Sequence, residues 1–183
     1  MMKCFLHRFR RDHRGSLLVE TAFVMPLLVV MILAGVELTR YMLLQQKLDA
    51  VAVTVADLVA QRKEISAATV DRIFQATNHV ITPFTFGANG AVVVTSVSAN
   101  GGGPVVDWQR IGGGTFSVAS AIGTPGSAAT LPAGFLVRNG ENAIVAEVFY
   151  NYSPLLRTDF LTNLQMYHRS FFRPRFGSLS MLQ

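Results

Sequence analysis

The chain lacks most of the residues by which small exported proteins are cross-linked or hold metals. Its 183 residues include one cysteine, Cys4, so no disulfide can form within the chain. Two of the four histidines, His7 and His13, lie near the N terminus, and the other two, His79 and His168, have no cysteine partner and no H-x-x-x-H spacing of the kind that zinc sites use. Charged residues make up 15% of the sequence, below the roughly 25% of an ordinary soluble domain. We therefore expect no metal site and no cofactor.

Motifs of catalysis and of phosphate binding are missing as well. The glycine triplets at 101–103 and 112–114 lack the Lys-Ser/Thr that completes a phosphate-binding loop. No serine lies in a G-x-S-x-G elbow. After residue 15, eleven basic side chains stand against ten acidic ones, whereas a dedicated nucleic-acid binder is markedly basic. The sequence predicts neither an enzyme nor a nucleic-acid partner, and we expect the C-terminal arginines to line the solvated edge of a strand.

The sequence does contain a long apolar run behind a basic leader. Residues 1–15 carry five basic side chains against Asp12 alone, and Glu20 is the only charged residue among the 20 from Leu17 to Val36. A helix of that length spans roughly 30 Å, the thickness of the hydrocarbon core of a bilayer. The positive-inside rule keeps the leader in the cytoplasm. We predict a single-pass inner-membrane protein whose C-terminal part is periplasmic.

Three interpretations of this N-terminal region are open. A cleaved secretory signal has a shorter apolar region and an A-x-A-like site, and the Ala34-Gly35-Val36 segment is a poor candidate for one. A plain signal anchor is retained whole. A prepilin leader ends in a glycine and has a glutamate five residues later, which matches Gly15 and Glu20. The third interpretation explains most, and it predicts that a prepilin peptidase cuts between Gly15 and Ser16.

The prepilin interpretation also gives Glu20 a role. Cleavage creates an amino terminus at Ser16 with a reference pKa of ~7.7–8.0. In type IV-pilin-like assemblies the carboxylate at the fifth position can pair with the amino terminus of a neighbouring subunit. Such a pair is much stronger in a low-dielectric helix bundle than in water. We also expect Pro26 to kink the helix, because proline removes one helical hydrogen bond.

The apolar pattern continues past the membrane run and then changes to strands. A one-sided seam predicts that the first helix extends and packs against the globular part; its members are Leu44, Leu48, Val51, Val55 and Leu58. Ser66 is the expected N-cap of a second helix over residues 67–80, with Val70, Ile73, Phe74 and Thr77 on one face. Strands are predicted at 91–97, 105–110, 115–119 (the weakest), 143–152 and 164–172.

Several segments resemble the TadE-like family of minor pseudopilins from the tight-adherence (Tad, or Flp-type) pilus system. The specific part is RGSLLVETAFVMPLLVVMILAGVELTR, with its small residue, glutamate, proline and GVELxR-like exit at residues 35–40. The segments VADLVAQRKEIS, AEVFYNYSP and FFRPR follow in the expected order. A TadF-like assignment stays open beside the TadE-like one.

The residue patterns themselves predict an α+β architecture, which the resemblance makes pilin-like. It consists of a long N-terminal helix that spans the membrane and then becomes amphipathic, a second short helix and a small antiparallel sheet. The expected domains are a basic prepilin leader (1–15), a transmembrane helix (16–40) and an extracytoplasmic pseudopilin domain (41–183). That domain is predicted to be helical over 41–81 and to contain strands and glycine-rich loops over 82–183.

The resemblance further implies a role in the biogenesis of an adhesive pilus, with possible incorporation into the filament itself. The expected partners are the inner membrane, a prepilin peptidase, the Flp major pilin, TadF- and TadG-like pseudopilins and the inner-membrane assembly platform. A competing hypothesis is a signal-anchored extracytoplasmic binding protein with no part in the Tad system. It includes a minor pilin that binds DNA or surfaces.

Overall fold

The computed structural model describes residues 14–155 and 164–183. Expectations for the basic leader up to residue 13, including Cys4, lie outside this part of the chain. The described residues form two helices and four strands: α1 (Arg14–Ala60), α2 (Ala67–Val80), β1 (Gly90–Ala99), β2 (Pro104–Gly112), β3 (Asn142–Tyr152) and β4 (Leu164–Phe172). The predicted α+β class is confirmed. The chain divides into one compact unit up to Tyr41 and a second from Met42 onward, and each is described by itself.

The first unit contains the apolar part of α1. This helix includes an 18-residue window with a mean hydropathy of 2.5, none of it buried. Its large apolar side chains from Leu17 to Leu38 are exposed. A soluble protein does not leave so large an apolar surface in water. The helix therefore fits a single membrane anchor, as its length and composition predict.

In the second unit the same helix supplies core residues. Leu44, Leu48, Val51 and Val55 are fully buried, as the seam predicts. Leu58 is only half-buried, and Val59 takes the buried position in its place. A strict 4-3-4-3 spacing has a period of 3.5 residues, whereas a straight α-helix has 3.6, so over the two heptads from Leu44 to Leu58 the seam rotates by about 40° relative to the buried face.

The second helix matches its prediction closely. Ser66 caps it by accepting a hydrogen bond from the backbone N–H of Thr69 at 3.3 Å. The buried residues are the predicted ones, Val70, Ile73, Phe74 and Thr77. Gly112 lies against Phe74, and a β-carbon at that glycine would come within 2.2 Å of the ring. A glycine there lets the helix and the end of β2 approach each other closely.

The four strands form one antiparallel sheet in the order β2-β1-β3-β4. Ile144, Ala146 and Val148 lie on one face of β3. On the other strands, residues on this same face of the sheet contact the helices. His168, opposite Val148, has its Nδ1 3.9 Å from the Asp49 carboxylate of α1. Arg110, also on this face, donates to both carboxylate oxygens of Asp71 of α2 at 2.7 and 2.9 Å. The helices therefore cover this face of the sheet.

The opposite face is covered by residues 113–141, which we call the strap. Because β2 and β3 both pair antiparallel with β1, they run parallel to each other. The connection between them must therefore return across the sheet. Ile122 of the strap packs there with Val97, Val106 and Val145. The strand predicted at 115–119 is wrong: this segment lies in the strap and has no strand structure.

The C-terminal residues after β4 close the core at the end of the helices. The backbone N–H of Arg175 donates to the carbonyl of Ala60, and Gln183 exchanges two backbone hydrogen bonds with Ile65 and Ala67. Leu179 is 2% exposed, and its carbonyl accepts from Nε1 of Trp108 at 2.7 Å. The predicted final strand, 164–172, is confirmed.

Candidate assembly site

The predicted cleavage position lies near the N-terminal end of the described part of α1, which runs from Arg14 to Ala60. Both Gly15 and Ser16 are in helical conformation. Cleavage of the bond between them stays a prediction.

Glu20 is exposed on the helix. In the part of the chain that the structure describes, no hydrogen bond or ion pair to it is found. Other polar side chains of the apolar segment are satisfied internally. Thr21 donates to the carbonyl of Leu17 at 2.6 Å, and Thr39 donates to the carbonyl of Gly35 at 2.8 Å. Glu20 is therefore a charge available to a partner outside the described residues.

Pro26 lies inside α1, and the helix continues through it to Ala60. Proline has no N–H, so the carbonyl of Ala22 loses its usual helical partner. Membrane helices tolerate this because polar groups of neighbours can satisfy the freed carbonyl. The structure thus brings Gly15, Ser16, Glu20 and Pro26 onto the first turns of one continuous helix.

The first helix thus has a single carboxylate, Glu20, in the apolar run from Leu17 to Val36, and further along it buries side chains in the core. The family model of TadE-like protein matches residues 15–57. The match begins at Gly15 and ends close to the end of α1. The predicted resemblance is confirmed for this segment, which includes every residue of the candidate assembly site.

The TadE-like segment indicates a Tad-pilus-associated protein with an N-terminal membrane anchor. TadE-like proteins are structural proteins associated with the pilus. The comparison with curated proteins found no match, and neither did the comparison with solved structures. The sheet and the strap lie outside the matched residues, so their roles must be inferred from their own geometry.

One buried carboxylate, Glu147, does not stand out as a functional residue in the sequence. Alternation along β3 places it on the face opposite Ile144, and because the strap covers that face Glu147 is 0% exposed. Its carboxylate accepts from the backbone N–H of Ala121 at 2.9 Å and from the hydroxyl of Tyr167 at 2.9 Å. The Ser120 hydroxyl donates to its second oxygen. A lone acid in the apolar run Ala143–Tyr152 was the available signal.

The surroundings of Tyr167 in this cluster shift its pKa. Burial of its phenol, and next the nearby Glu147 carboxylate, raise the pKa of Tyr167 from 10.0 to about 12. Both causes disfavour the phenolate, because burial penalises any charge and Glu147 repels a second negative charge. Arg169, whose guanidinium lies 5.9 Å from the centre of the Tyr167 ring, opposes the shift.

We expect this shift to make the globular unit less stable in alkali. Between pH 10 and about 12 the unfolded chain releases the phenol proton while the folded chain retains it. The stabilisation is therefore complete below pH 10 and is lost as pH rises through about 12. Denaturant unfolding of wild type and Tyr167→Phe across this pH range measures the effect. The variant should lack this component, and identical pH slopes in the two proteins would contradict the assignment.

Proposed function

We propose that this protein is a TadE-like minor pseudopilin that acts in the biogenesis of a Tad pilus used for adhesion. A prepilin peptidase removes the basic leader, residues 1–15, on the cytoplasmic side. Residues 16–40 then anchor the protein in the inner membrane, and residues 41–183 form its periplasmic domain. The protein acts by assembly with other subunits and carries out no chemistry of its own.

The observation that supports this proposal is the difference in side-chain exposure between the two parts of α1. Over the anchor its apolar side chains are exposed, whereas Leu44, Leu48, Val51 and Val55 of the same helix are buried in the globular unit. A signal peptide that is removed at the end of its apolar run has no reason to continue into the core of the mature protein. The TadE-like match over residues 15–57 covers both parts of the helix.

Glu20 supplies the contact that orders subunits along the assembly. After cleavage it is the fifth residue and lies one helical turn from the new amino terminus at Ser16. The positive end of the helix dipole favours a carboxylate in that first turn. Paired with the amino terminus of a neighbouring subunit, Glu20 sets the axial register between the two helices. Pro26 eases bending as the subunit leaves the bilayer.

The partners follow from this role. The subunit is handed from the prepilin peptidase to the inner-membrane assembly platform, and it meets the Flp major pilin and TadF- or TadG-like pseudopilins there or in the filament. The competing function, a signal-anchored binding protein, needs neither cleavage at Gly15 nor a partner for Glu20. The state of the N terminus therefore separates the two.

The first test is the N-terminal residue of the protein recovered from membranes, measured by mass spectrometry. We expect a chain that begins at Ser16. Gly15→Val should block the peptidase and retain the leader, because the residue before the cut must be small. Cys4→Ser, a leader change away from the cut, should be processed as wild type is.

Two other results would overturn the proposal. A wild-type chain that retains the leader would indicate a plain signal anchor. A chain that begins near Val36 would indicate an ordinary secreted protein without the anchor.

A further inference from the structure

The strap lies over one face of the sheet, but most of its side chains remain partly or fully exposed. Within residues 113–141, all of which the structure describes, Ile122 is the single buried side chain. The strap contains no helix and no strand. At its two ends Gly113 and Gly140 both have a φ of +81°, a conformation that glycine adopts without strain. Ala129, Leu131 and Val137 also pack against the Ile122 cluster, but they are only partly buried. A segment with one fully buried side chain and no regular secondary structure belongs to the less stable part of a fold.

The strongest polar attachment is at Glu147, which lies on the sheet beneath the strap. This carboxylate accepts from the Ala121 N–H and the Ser120 hydroxyl of the strap. The Ser120 hydroxyl oxygen in turn accepts from the N–H of Ile122 at 3.0 Å. Glu147 therefore orients Ala121, the residue before the buried Ile122. In this way the hydrogen bonds to Glu147 are coupled to the apolar packing of Ile122.

A second set of bonds joins the strap to the outer edge of β2. The N–H of Gly126 donates to the carbonyl of Val106 at 2.8 Å, and the N–H of Val106 donates to the carbonyl of Ser127 at 3.0 Å. The N–H of Ala129 donates to the carbonyl of Pro104 at 2.8 Å. An exposed strand edge invites pairing with another chain. The closed strap occupies this part of the β2 edge and prevents such pairing.

We propose that the strap opens and closes as one unit, with Glu147 as its latch, and that the closed strap masks the β2 edge and the apolar face of the sheet. Opening removes the hydrogen bonds at Ala121, Gly126 and Ala129 together, because all three amides lie on one segment between the two glycine ends. It uncovers Val97, Val106 and Val145. The device rests on contacts within the globular unit and is independent of the proposed role of Glu20.

Amide hydrogen exchange of the full chain in detergent micelles, followed by NMR, tests the proposal. We expect the amides of Ala121, Gly126 and Ala129 to exchange with solvent through the same opening reaction and therefore to show the same opening free energy. They should exchange faster than the amides of β1 and β3. Glu147→Leu keeps the size of the side chain but leaves three donors without their acceptor, namely the Ala121 N–H and the hydroxyls of Ser120 and Tyr167. It should raise exchange at these three amides by about tenfold or more, with β1 and β3 changed less than about threefold.

Milder variants keep the test decisive if Glu147→Leu does not fold. Tyr167→Phe and Ser120→Ala each remove one donor and should raise exchange of the strap amides together, by a smaller factor. Glu147→Gln retains an acceptor for Ala121 and should restore most of the protection. Glu141→Gln is a control at the C-terminal end of the strap, where Glu141 accepts from the backbone N–H of Arg138 at 3.2 Å and lies 3.4 Å from Arg173 but does not contact Glu147. It should leave exchange at Ala121, Gly126 and Ala129 close to wild type.

Two results would overturn the proposal. If the three strap amides respond separately to these variants, the strap does not move as one unit. If Glu147→Leu accelerates exchange equally in β1, β3 and the strap, Glu147 is an ordinary core residue and not a latch.

Discussion

Replacing Glu20 by alanine should abolish surface piliation while the protein remains in the membrane, cleaved at Ser16. The change removes one charge from an apolar run, which favours membrane insertion. It also leaves the amino terminus of the neighbouring subunit without its partner. Breaking a buried ion pair from one side destabilises by about 3–5 kcal/mol. That corresponds to a loss of on the order of 10²-fold or more in subunit affinity.

The measurement is the number of pili per cell by electron microscopy, together with the amount and the N-terminal mass of the membrane protein. Glu20→Gln should also fail, because it keeps the size of the side chain and removes the charge. Glu37→Ala changes the other carboxylate of the anchor region and should leave piliation close to wild type. Normal piliation with Glu20→Ala would show that this carboxylate has no role in assembly and would favour the binding-protein hypothesis.

Leu48→Ala should destabilise the globular unit by about 2–5 kcal/mol. Leu48 is fully buried on the seam of α1, so truncation loses its buried apolar surface and leaves a cavity. The total stability of a domain is only about 5–15 kcal/mol. Such a loss would therefore unfold an appreciable fraction of the molecules or leave them sensitive to protease.

Denaturant unfolding of the full chain in detergent, followed by the fluorescence of the single tryptophan, measures this loss. Trp108 is buried and hydrogen-bonded to Leu179, so its emission reports on the packed core. Leu43→Ala is the matched control: it is the same substitution in the same helix, at a residue that is 36% exposed. Equal losses in the two variants would mean that the seam of α1 is not part of the core.

Local sequence patterns were sufficient to predict the helices and strands that are determined by residues close together in the sequence. The apolar run after Gly15 predicts a membrane-length helix because a single segment in lipid can satisfy its own backbone groups only as a helix. Ser66 determines where α2 begins because its side chain caps the first turn. The alternation over 143–152 predicts β3, and the strand predicted over 164–172 is also present. The error at Leu58 came from a period of 3.5 applied to a helix of 3.6.

Tertiary structure alone decided what covers the second face of the sheet. Nothing local to residues 113–141 marks them as a cover, and the segment 115–119 was predicted as a strand because it contains β-favouring residues. The pairing of both β2 and β3 with β1 decides the matter, since parallel strands require a connection that crosses the sheet.

Glu147 illustrates the same division between local and long-range information. Alternation along β3 identified the face on which its side chain lies, but the burial of that face depends on Ile122 and on the strap that carries it. The donors to its carboxylate come from Ser120, Ala121 and Tyr167, which are distant in sequence. A pattern within one strand cannot report such partners. The sequence is therefore sufficient to predict the anchor and to propose Glu20 as an assembly residue, whereas the proposed latch beneath the strap follows only from the folded sheet.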